Sequence, residues 1–312
     1  MQTIVAHRAS GIIYRFVKQY PGCYILPANI CPVVPLSIIT AGSNVKFVDI
    51  SRDTWCISEQ DCKDLVMTDN NVVGLIFVHT YGCNYNPQSF FKEIKNIREE
   101  VFIVDDKCLC VPCIEEPCTI ADLTLYSTGY AKYIDFGMGG YGFLQDELFL
   151  SQEYAQYEGS DVESFYKKCF QNKTKVQNRI PYGWLDAEVS YGYDISYFSK
   201  IENAKSDVKK KKNRINSIYE TNLVPYNKLG KDYNNWRYNI LVNEKDGVMS
   251  SIFASGLFAS SHYQPSSELF CDEVFINSRW LFEHVINLFN DKYITEEQAI
   301  KLTEIINFAN LP

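Results

Sequence analysis

The segment LYSTGYAKYIDFGMGGYGF, residues 125–143, places a single lysine, Lys132, among aromatic residues, small residues and glycines. Its only charged neighbour within this segment is Asp135. The residues that lead into it, ADLTLYST (121–128), have the apolar and β-branched character of a buried strand. Because a surface lysine is normally surrounded by polar residues, we expect Lys132 to be partly buried just beyond the end of a strand.

The composition of the chain limits the classes of protein to which it can belong. The 312 residues are 46% hydrophobic and 22% charged, which is typical of a globular protein, and the length predicts a large domain, 1–200, followed by a smaller one, 201–312. The net charge of -8 argues against a nucleic-acid-binding domain. No stretch approaches the ~20 apolar residues of a membrane span, and the N-terminus has no signal-peptide core, so the sequence predicts a cytoplasmic protein with no membrane partner.

Short apolar runs alternate with amphipathic segments in the first half of the chain. The predicted strands are CYILPA (23–28), VKFVDI (45–50), VVGLIFVHT (72–80), VFIVDD (101–106) and ADLTLYST (121–128). The predicted helices are GIIYRFVKQY (11–20), VPLSIITAG (34–42), SEQDCKDLVM (58–67) and PQSFFKEIKNIREE (87–100). This alternation predicts an α/β fold with a mostly parallel sheet covered by helices.

The second half of the chain has a different pattern of predicted secondary structure. Residues 147–222 favour helix, and the basic run KKKKNR (209–214) is predicted to be a solvated helix face. The final segment combines a strand, two helices and a terminal helix that begins at a capping box, Thr295 with Gln298. The strand is WRYNILV (236–242), and the two helices are DGVMSSIFASG (246–256) and NSRWLFEHVINLF (277–289).

Polar residues follow three of the predicted strands. Ligands of parallel sheets gather beyond the carboxyl ends of the strands, so these residues are candidates for a site. They are Asp105 and Asp106, then His79, Thr80 and Tyr81, then Ser127 and Lys132. Each also has a purely structural interpretation: Asp106 as a turn cap, His79 as a core histidine, and Lys132 as the ion-pair partner of Asp135.

The eleven cysteines are predicted to be reduced thiols, because an odd number in a long chain without an export signal does not suggest a disulfide framework. Four of them lie close together, at Cys108, Cys110, Cys113 and Cys118. Their spacing is irregular and no histidine lies nearby, so we interpret them as buried or loop cysteines and predict no metal site.

The order of these segments resembles the DegT-type (DegT/DnrJ/StrS) sugar aminotransferases. FVHTYG resembles that family's His-Leu-Tyr-Gly segment, VDDKC its Glu-Asp-Ala-Ala segment, and STGYAKYIDFGMGGYGF the segment in which a serine precedes the cofactor-binding lysine by five residues. LPANICPVVPLSIITAGSNVKFVDIS, WRYNILV, GLFASSHYQP and FINSRWLFEHVINLFNDKYITEEQ also match the family in order. The resemblance implies the type I fold of pyridoxal-phosphate-dependent transferases, with a sheet of the seven-stranded type, helices on both faces and a smaller α+β C-terminal domain.

The resemblance also implies a cofactor, pyridoxal 5'-phosphate, and residues that hold it. Lys132 would bond the cofactor aldehyde and then move a proton as general base and acid, and partial burial suits it because burial disfavours the ammonium form. Asp106 would keep the ring nitrogen protonated. The phosphate would contact Ser127, Ala9 and Ser10 at the start of the first helix, with His79 and Tyr81 as further cofactor contacts.

Two departures from the family pattern affect the ring and the substrate pocket. Leu109 stands where the family often has Gln or His, and the family's Asn-x-Arg segment is not recognisable in residues 179–194. The family generally forms homodimers with a shared active site, which would let the 179–240 region complete the partner's pocket. Four residues are predicted substrate contacts: Tyr182, Arg214, Arg237 and His262.

The leading hypothesis is transfer of an amino group from glutamate to a keto sugar, which we expect to be linked to a nucleotide, in surface polysaccharide or related amino-sugar biosynthesis. A related pyridoxal-phosphate sugar dehydratase is a second possibility, although such enzymes have His in place of the lysine. A third is a catalytically degenerate protein that binds a sugar nucleotide or a protein partner without turnover.

Overall fold

A central eight-stranded sheet organises the molecule. The computed structural model describes residues 1–153, 155–176, 180–224 and 228–309, so Arg179 and the last three residues of the predicted C-terminal domain lie outside the described residues. The strands are β1 (Gln2–Ala6), β2 (Cys23–Pro27), β3 (Asn44–Val48), β4 (Val72–Val78), β5 (Phe102–Asp106), β6 (Leu123–Ser127), β7 (Gly140–Leu144), β8 (Val189–Tyr191), β9 (Tyr238–Leu241) and β10 (Val285–Leu288). The helices are α1 (Ala9–Gln19), α2 (Val33–Thr40), α3 (Glu59–Thr68), α4 (Gln88–Ile97), α5 (Val162–Gln171), α6 (Ile195–Asn222), α7 (Lys245–Ala254), α8 (Ile276–His284) and α9 (Glu296–Ala309).

The strand order in the sheet is β3-β2-β4-β5-β6-β7-β1-β8. Strands β2 to β6 are parallel to one another, whereas β7, β1 and β8 add antiparallel pairings. The predicted mostly parallel α/β sheet is confirmed. It has one strand more than the expected seven-stranded type, because residues Val189–Tyr191 pair with β1 in antiparallel register.

Helices cover both faces of the sheet because successive side chains of a strand point to opposite sides. Tyr24 and Leu26 pack into a core that includes α1 and α2, and Ile25 between them packs into a second core with α3 and α4. Both faces are therefore apolar along the same strand, which explains why the parallel strands appear in the sequence as nearly continuous apolar runs.

The predicted helix NSRWLFEHVINLF is wrong in its second part. Helix α8 ends at His284, and Val285–Leu288 form β10, which pairs antiparallel with β9. Val285 and Ile286 are β-branched and fully buried, so their packing in this two-stranded sheet outweighs the helical periodicity of the segment.

The basic run 209–214 is not uniformly solvated. Lys212 is only 2% exposed, and its Nζ donates hydrogen bonds to the carbonyl of Trp236 at 2.7 Å and to Asn290 Oδ1 at 2.8 Å. Burial lowers the pKa of this amine to about 8. The prediction of a solvated face was therefore wrong at this position, since one lysine of the run anchors α6 to the segments around β9 and β10.

Helices α6, α7 and α9 share an apolar core with β9 and β10. The predicted capping box is confirmed, because Gln298 N donates to Thr295 Oγ1 at 3.2 Å and Thr295 N to Gln298 Oε1 at 2.9 Å. The division of the chain at residue 200 stays a prediction. None of the described helices has both the length and the apolar character needed to cross a bilayer.

Asp49, the residue directly after β3, fixes the start of α8 through its carboxylate. Asp49 Oδ1 accepts hydrogen bonds from Ser278 N at 2.9 Å and Ser278 Oγ at 2.7 Å, and Oδ2 accepts from Asn277 N at 2.8 Å. The residue at the N-cap position of α8, Phe275, has no side-chain oxygen to serve these amides.

Replacing Asp49 with Ala should therefore lower the free energy of unfolding by about 1–2 kcal/mol, the upper range for a lost helix cap. Urea titration followed by circular dichroism measures the change. Asp53→Ala is the matched control, because Asp53 is exposed and its carboxylate makes no hydrogen bond to the described residues. Equal urea midpoints for the two variants would show that Asp49 does not hold α8.

Candidate active site

A pocket opens at the carboxyl ends of β4 and β5 and brings together Asp106 and Lys132. Its lining residues are Asn29, Ile30, Cys31, Val78, Thr80, Tyr81, Asp106, Cys108, Leu109, Lys132 and Tyr263. A larger groove runs along the edge strand β3, but neither Asp106 nor Lys132 lines it. The candidate chemistry therefore belongs to the smaller pocket, at the sheet edge that the sequence predicted.

Asp106 is the last residue of β5 and is 6% exposed. Its Oδ1 accepts a hydrogen bond from Cys108 N at 2.9 Å, so it caps the turn that follows the strand and also lines the pocket. The structural and functional interpretations of Asp106 are thus compatible. The turn fixes the orientation of the carboxylate towards the cavity.

Asp105 lies on the other side of β5 because neighbouring side chains of a strand alternate. Its Oδ1 lies 2.8 Å from His79 Nε2, and its Oδ2 lies 3.3 Å from Lys107 Nζ. The other ring nitrogen of His79, Nδ1, lies 3.1 Å from the carbonyl of Cys83. Burial opposes protonation of His79, but its hydrogen bonds to Asp105 and Cys83 outweigh this and raise its pKa to about 9.

His79 does not line the pocket, and both of its ring nitrogens have partners within the protein. The structure therefore favours the interpretation of His79 as a satisfied core histidine over a direct cofactor contact. Its neighbour Tyr81 does line the pocket. Tyr81 has φ 54°, a left-handed conformation that bulky residues rarely adopt, and its hydroxyl donates to the carbonyl of His262 at 2.5 Å.

Lys132 is half-buried, as the sequence predicted, and forms no ion pair with the described residues. The Asp135 carboxylate instead accepts hydrogen bonds from Ala131 N at 3.1 Å and Gly137 N at 2.9 Å. The interpretation of Lys132 as the ion-pair partner of Asp135 was therefore wrong. Its amine is available to the pocket.

The backbone before Lys132 is held from the C-terminal half of the chain. Ala131 has φ 56°, and its carbonyl accepts a hydrogen bond from the indole Nε1 of Trp236 at 2.5 Å. The Trp236 ring also stacks on Tyr81, with centroids 6.2 Å apart and an interplanar angle of 10°. Trp236 thus contacts both sides of the pocket, a role that the sequence did not reveal.

A second cluster lies where β6 and β7 meet the start of α1. Ser127 Oγ donates to the carbonyl of Gly139 at 3.2 Å and accepts from Gly129 N at 3.2 Å. Ser127 pairs with Gly140, and a Cβ atom on Gly140 would lie 2.4 Å from Ala9 N, so only glycine allows this approach. Ser127 and the first amides of α1, including that of the half-buried Ser10, therefore lie close together.

The amino-acid sequence matches one family model over residues 25–181, which is about half of the chain: the DegT/DnrJ/EryC1/StrS aminotransferase family. The chain belongs to this family. It is a pyridoxal-phosphate-dependent aminotransferase, in agreement with the resemblance and the fold. No curated protein matches the sequence.

Solved structures of similar fold cover nearly the whole chain of this aminotransferase. A putative sugar aminotransferase, Spr1654 from Streptococcus pneumoniae, is 16% identical with a TM-score of 0.72, over 99% of this chain and 86% of that one. DesV from S. venezuelae is 13% identical with a TM-score of 0.68, over 99% and 85%. Helicobacter pylori PseC is 14% identical with a TM-score of 0.68, over 99% and 86%. At these identities the likeness confirms the fold.

The residues of this aminotransferase fit its cofactor. One pocket offers an amine without an ion-pair partner and a buried carboxylate, as an aldehyde and a ring nitrogen require. Gly140, where any side chain would clash with Ala9, brings the Ser127 hydroxyl to the start of α1. The free backbone N–H groups at the start of a helix can donate hydrogen bonds to a phosphate. Lys132, Asp106 and Ser127 would hold the aldehyde, ring and phosphate, with Ala9 and Ser10 also near the phosphate.

Two predicted substrate contacts of the aminotransferase lie away from this pocket. Tyr182 is 67% exposed, and its hydroxyl donates to Gln156 Oε1 at 3.0 Å. Arg214 lies on α6, where it forms an exposed ion pair with Glu296. The structure does not bring either residue to Lys132, and their contact with substrate in a partner subunit stays a prediction.

Two other predicted contacts, Arg237 and His262, lie near the pocket. His262 is half-buried, and its carbonyl binds Tyr81. Burial and the charges of Arg237 and Lys132 lower the pKa of His262 to about 3, so its ring is neutral at physiological pH. Leu109, which departs from the family pattern, lines the pocket directly, and so do Asn29 and Cys31.

Proposed function

We propose that this aminotransferase moves an amino group from glutamate to a keto sugar, which we expect to be linked to a nucleotide, in surface polysaccharide or related amino-sugar biosynthesis. The observation that carries the proposal is that Asp106 and Lys132 line the same pocket, in a chain of this family. Similar folds support a sugar substrate: DesI was solved with its TDP-sugar product, and PseC takes part in pseudoaminic acid biosynthesis.

The proposed roles follow from the positions of the residues. Bound pyridoxal phosphate supplies an aldehyde that bonds amines and a ring that accepts electrons. Lys132 would bind the aldehyde and later carry a proton on Nζ to and from the substrate carbon. Asp106 would hold a proton on the ring nitrogen, while Ser127, Ala9 and Ser10 would bind the phosphate. Tyr81 would form one wall, and His79 would support the pocket from behind through Asp105.

Two observations speak against the other hypotheses. A dehydratase of this kind would have histidine in the position of Lys132, whereas a lysine lines the pocket here. A degenerate protein would not need to keep a buried carboxylate in one cavity with a lysine that has no ion-pair partner among the described residues, because a carboxylate that is buried without a paired cation costs free energy.

An absorbance spectrum tests the proposed function directly. Protein loaded with pyridoxal phosphate should absorb visible light, L-glutamate should remove that absorbance as its amino group is transferred, and a nucleotide-linked keto sugar should restore it. D-glutamate is the control, since a chiral site should not use it. If a different amino acid removes the absorbance and L-glutamate does not, the assignment of glutamate as the donor is wrong. If the protein stays colourless after it is loaded with cofactor, the proposed function is wrong.

We also propose a homodimer with shared active sites. Exposed apolar side chains lie in the loop between β6 and β7, which contains Lys132, and at the start of α6; they are Tyr130, Phe136, Met138, Tyr193 and Ile195. Such a cluster favours coverage by a second copy of the chain. Light scattering of the purified protein tests this proposal, and a monomer at micromolar concentration would contradict it.

A further inference from the structure

Trp236 is buried beside the loop that carries Lys132. It is 3% exposed and lies two residues before β9. Its indole Nε1 donates to the carbonyl of Ala131 at 2.5 Å, and no other tryptophan indole donates a hydrogen bond to the residues that the structure describes. This N–H group therefore has a specific partner in the backbone next to the proposed cofactor-binding lysine.

Ala131 has a backbone conformation that needs support. With φ at 56° it lies in the left-handed region, where a Cβ atom crowds the following carbonyl oxygen and alanine is rarely found. Its N–H donates to Asp135 Oδ2 at 3.1 Å, and its carbonyl accepts from Trp236. The second bond acts on the peptide group that joins Ala131 to Lys132, so it fixes the direction in which the Lys132 side chain leaves the backbone.

The position of Trp236 is fixed by its backbone and by its ring. Its carbonyl accepts a hydrogen bond from Lys212 Nζ at 2.7 Å, and the same amine lies 5.1 Å from the ring centroid of Tyr133. Its ring stacks on Tyr81, which lines the pocket. The residues on both sides of Lys132 are therefore joined to Trp236 and, through it, to one wall of the pocket.

We propose that Trp236 is a positioning residue for Lys132. Its indole N–H holds Ala131 in the left-handed conformation and so keeps the lysine amine at the pocket that Asp106 also lines. This inference rests on the proposed function, in which Lys132 bonds the cofactor aldehyde, and it names the group that holds the lysine ready for that bond. Because bond formation depends steeply on the placement of the two reacting atoms, the hydrogen bond acts on the rate and not only on stability.

Trp236→Phe tests the N–H group, because phenylalanine keeps a ring against Tyr81 and lacks the donor. The probe is pyridoxal phosphate added to the cofactor-free protein. The visible absorbance should rise about tenfold more slowly in Trp236→Phe than in the native protein, the factor that corresponds to one hydrogen bond of ordinary strength. Borohydride reduction and mass spectrometry at the end of the reaction should locate the cofactor on Lys132 in both proteins.

A second substitution separates positioning from packing. Glycine adopts a positive φ without a steric cost, so Ala131→Gly removes the need for the Trp236 hydrogen bond. In the Ala131→Gly background, Trp236→Phe should slow attachment by less than about threefold, against about tenfold with alanine at this position. If Ala131→Gly leaves the tenfold loss unchanged, Trp236 acts by packing alone and the proposal is overturned.

Trp280→Phe is the matched control. Trp280 makes the same kind of ring contact, because it stacks on Trp55 with centroids 5.7 Å apart, but its indole donates no hydrogen bond to the described residues. This variant should attach the cofactor at the native rate. Equal slowing in Trp280→Phe and Trp236→Phe would overturn the proposal, and so would a native rate in Trp236→Phe.

Limited digestion with trypsin reports on the lysine loop without the cofactor. Cleavage after Lys132 requires the loop to open, so Trp236→Phe should release the peptide that ends at Lys132 about tenfold faster than the native protein or Trp280→Phe. If the native protein binds no cofactor at Lys132 but this cleavage depends on Trp236, the proposed function fails and the hold of Trp236 on the loop stands. If the native protein attaches the cofactor at Lys132 and neither attachment nor cleavage changes in Trp236→Phe, the proposed function stands and this inference fails.

Discussion

Lys132→Ala is expected to prevent covalent attachment of pyridoxal phosphate and to lower turnover by about 10,000-fold, the upper range for loss of a positioned proton carrier. Lys132 is half-buried at the pocket, and its amine has no ion-pair partner among the described residues. Alanine would remove the only nitrogen that we assign both to the bond with the aldehyde and to proton transfer. The two losses should therefore occur together.

Reduction with borohydride followed by mass spectrometry measures attachment without reference to activity. The native protein should gain the mass of one reduced cofactor on the peptide that contains Lys132, and Lys132→Ala should gain none. Lys292→Ala is the control, since Lys292 is exposed and contacts the same loop through the carbonyl of Asp135 at 3.4 Å. A reduced cofactor on a different lysine in the native protein would move the active site away from this pocket.

The parallel part of the fold could be predicted from the sequence because its signal is local. Strands β2 to β6 are apolar runs separated by amphipathic helices. Because both faces of each strand are covered, the apolar run can be recognised in the sequence without knowledge of the partners that cover it. The same local signal predicted that Asp106 and Lys132 line one pocket. Residues at the carboxyl ends of neighbouring parallel strands meet at one edge of the sheet.

Features that depend on distant partners could not be predicted in this way. Lys212 has the sequence environment of a surface lysine, and only the Trp236 carbonyl and Asn290, 24 and 78 residues further along the chain, make its burial possible. Val285–Leu288 continue the apolar period of α8 and become a strand because β9 offers an edge. The contact between Trp236 and the loop of Lys132 spans 105 residues and has no local signature.

One distinction was accessible and was missed. Side chains alternate along a strand, so Asp105 and Asp106 could not both face one pocket. Their shared position at the end of a predicted strand made both candidates for one site, whereas the structure directs Asp105 to His79 and Asp106 to the cavity with Lys132. The two neighbouring carboxylates therefore have different surroundings, and we propose a structural role for Asp105 and a chemical role for Asp106.

Asp106→Asn is accordingly expected to lower turnover by at least about 100-fold while leaving stability nearly unchanged, because the amide keeps the shape of the side chain but not the charge that would hold the proton on the ring nitrogen. Lys132 is intact in this variant, so borohydride reduction should still attach the cofactor. Asp105→Asn should show the opposite result: turnover changes less, and the free energy of unfolding falls by about 1–3 kcal/mol through the weakened bond to buried His79.

The pH dependence of stability separates the two variants further. The pKa of His79 is raised from 6.5 to about 9 in the folded protein, so the folded state binds its proton more tightly than the unfolded state. This contribution is complete below pH 6.5 and is lost as the pH rises towards 9, so the native protein and Asp106→Asn should lose stability across that range. Asp105→Asn should lose much less, because His79 no longer faces a carboxylate. Urea titrations at pH 6 and pH 9 measure the difference, and an equal pH dependence in Asp105→Asn and Asp106→Asn would contradict the division of roles between the two aspartates.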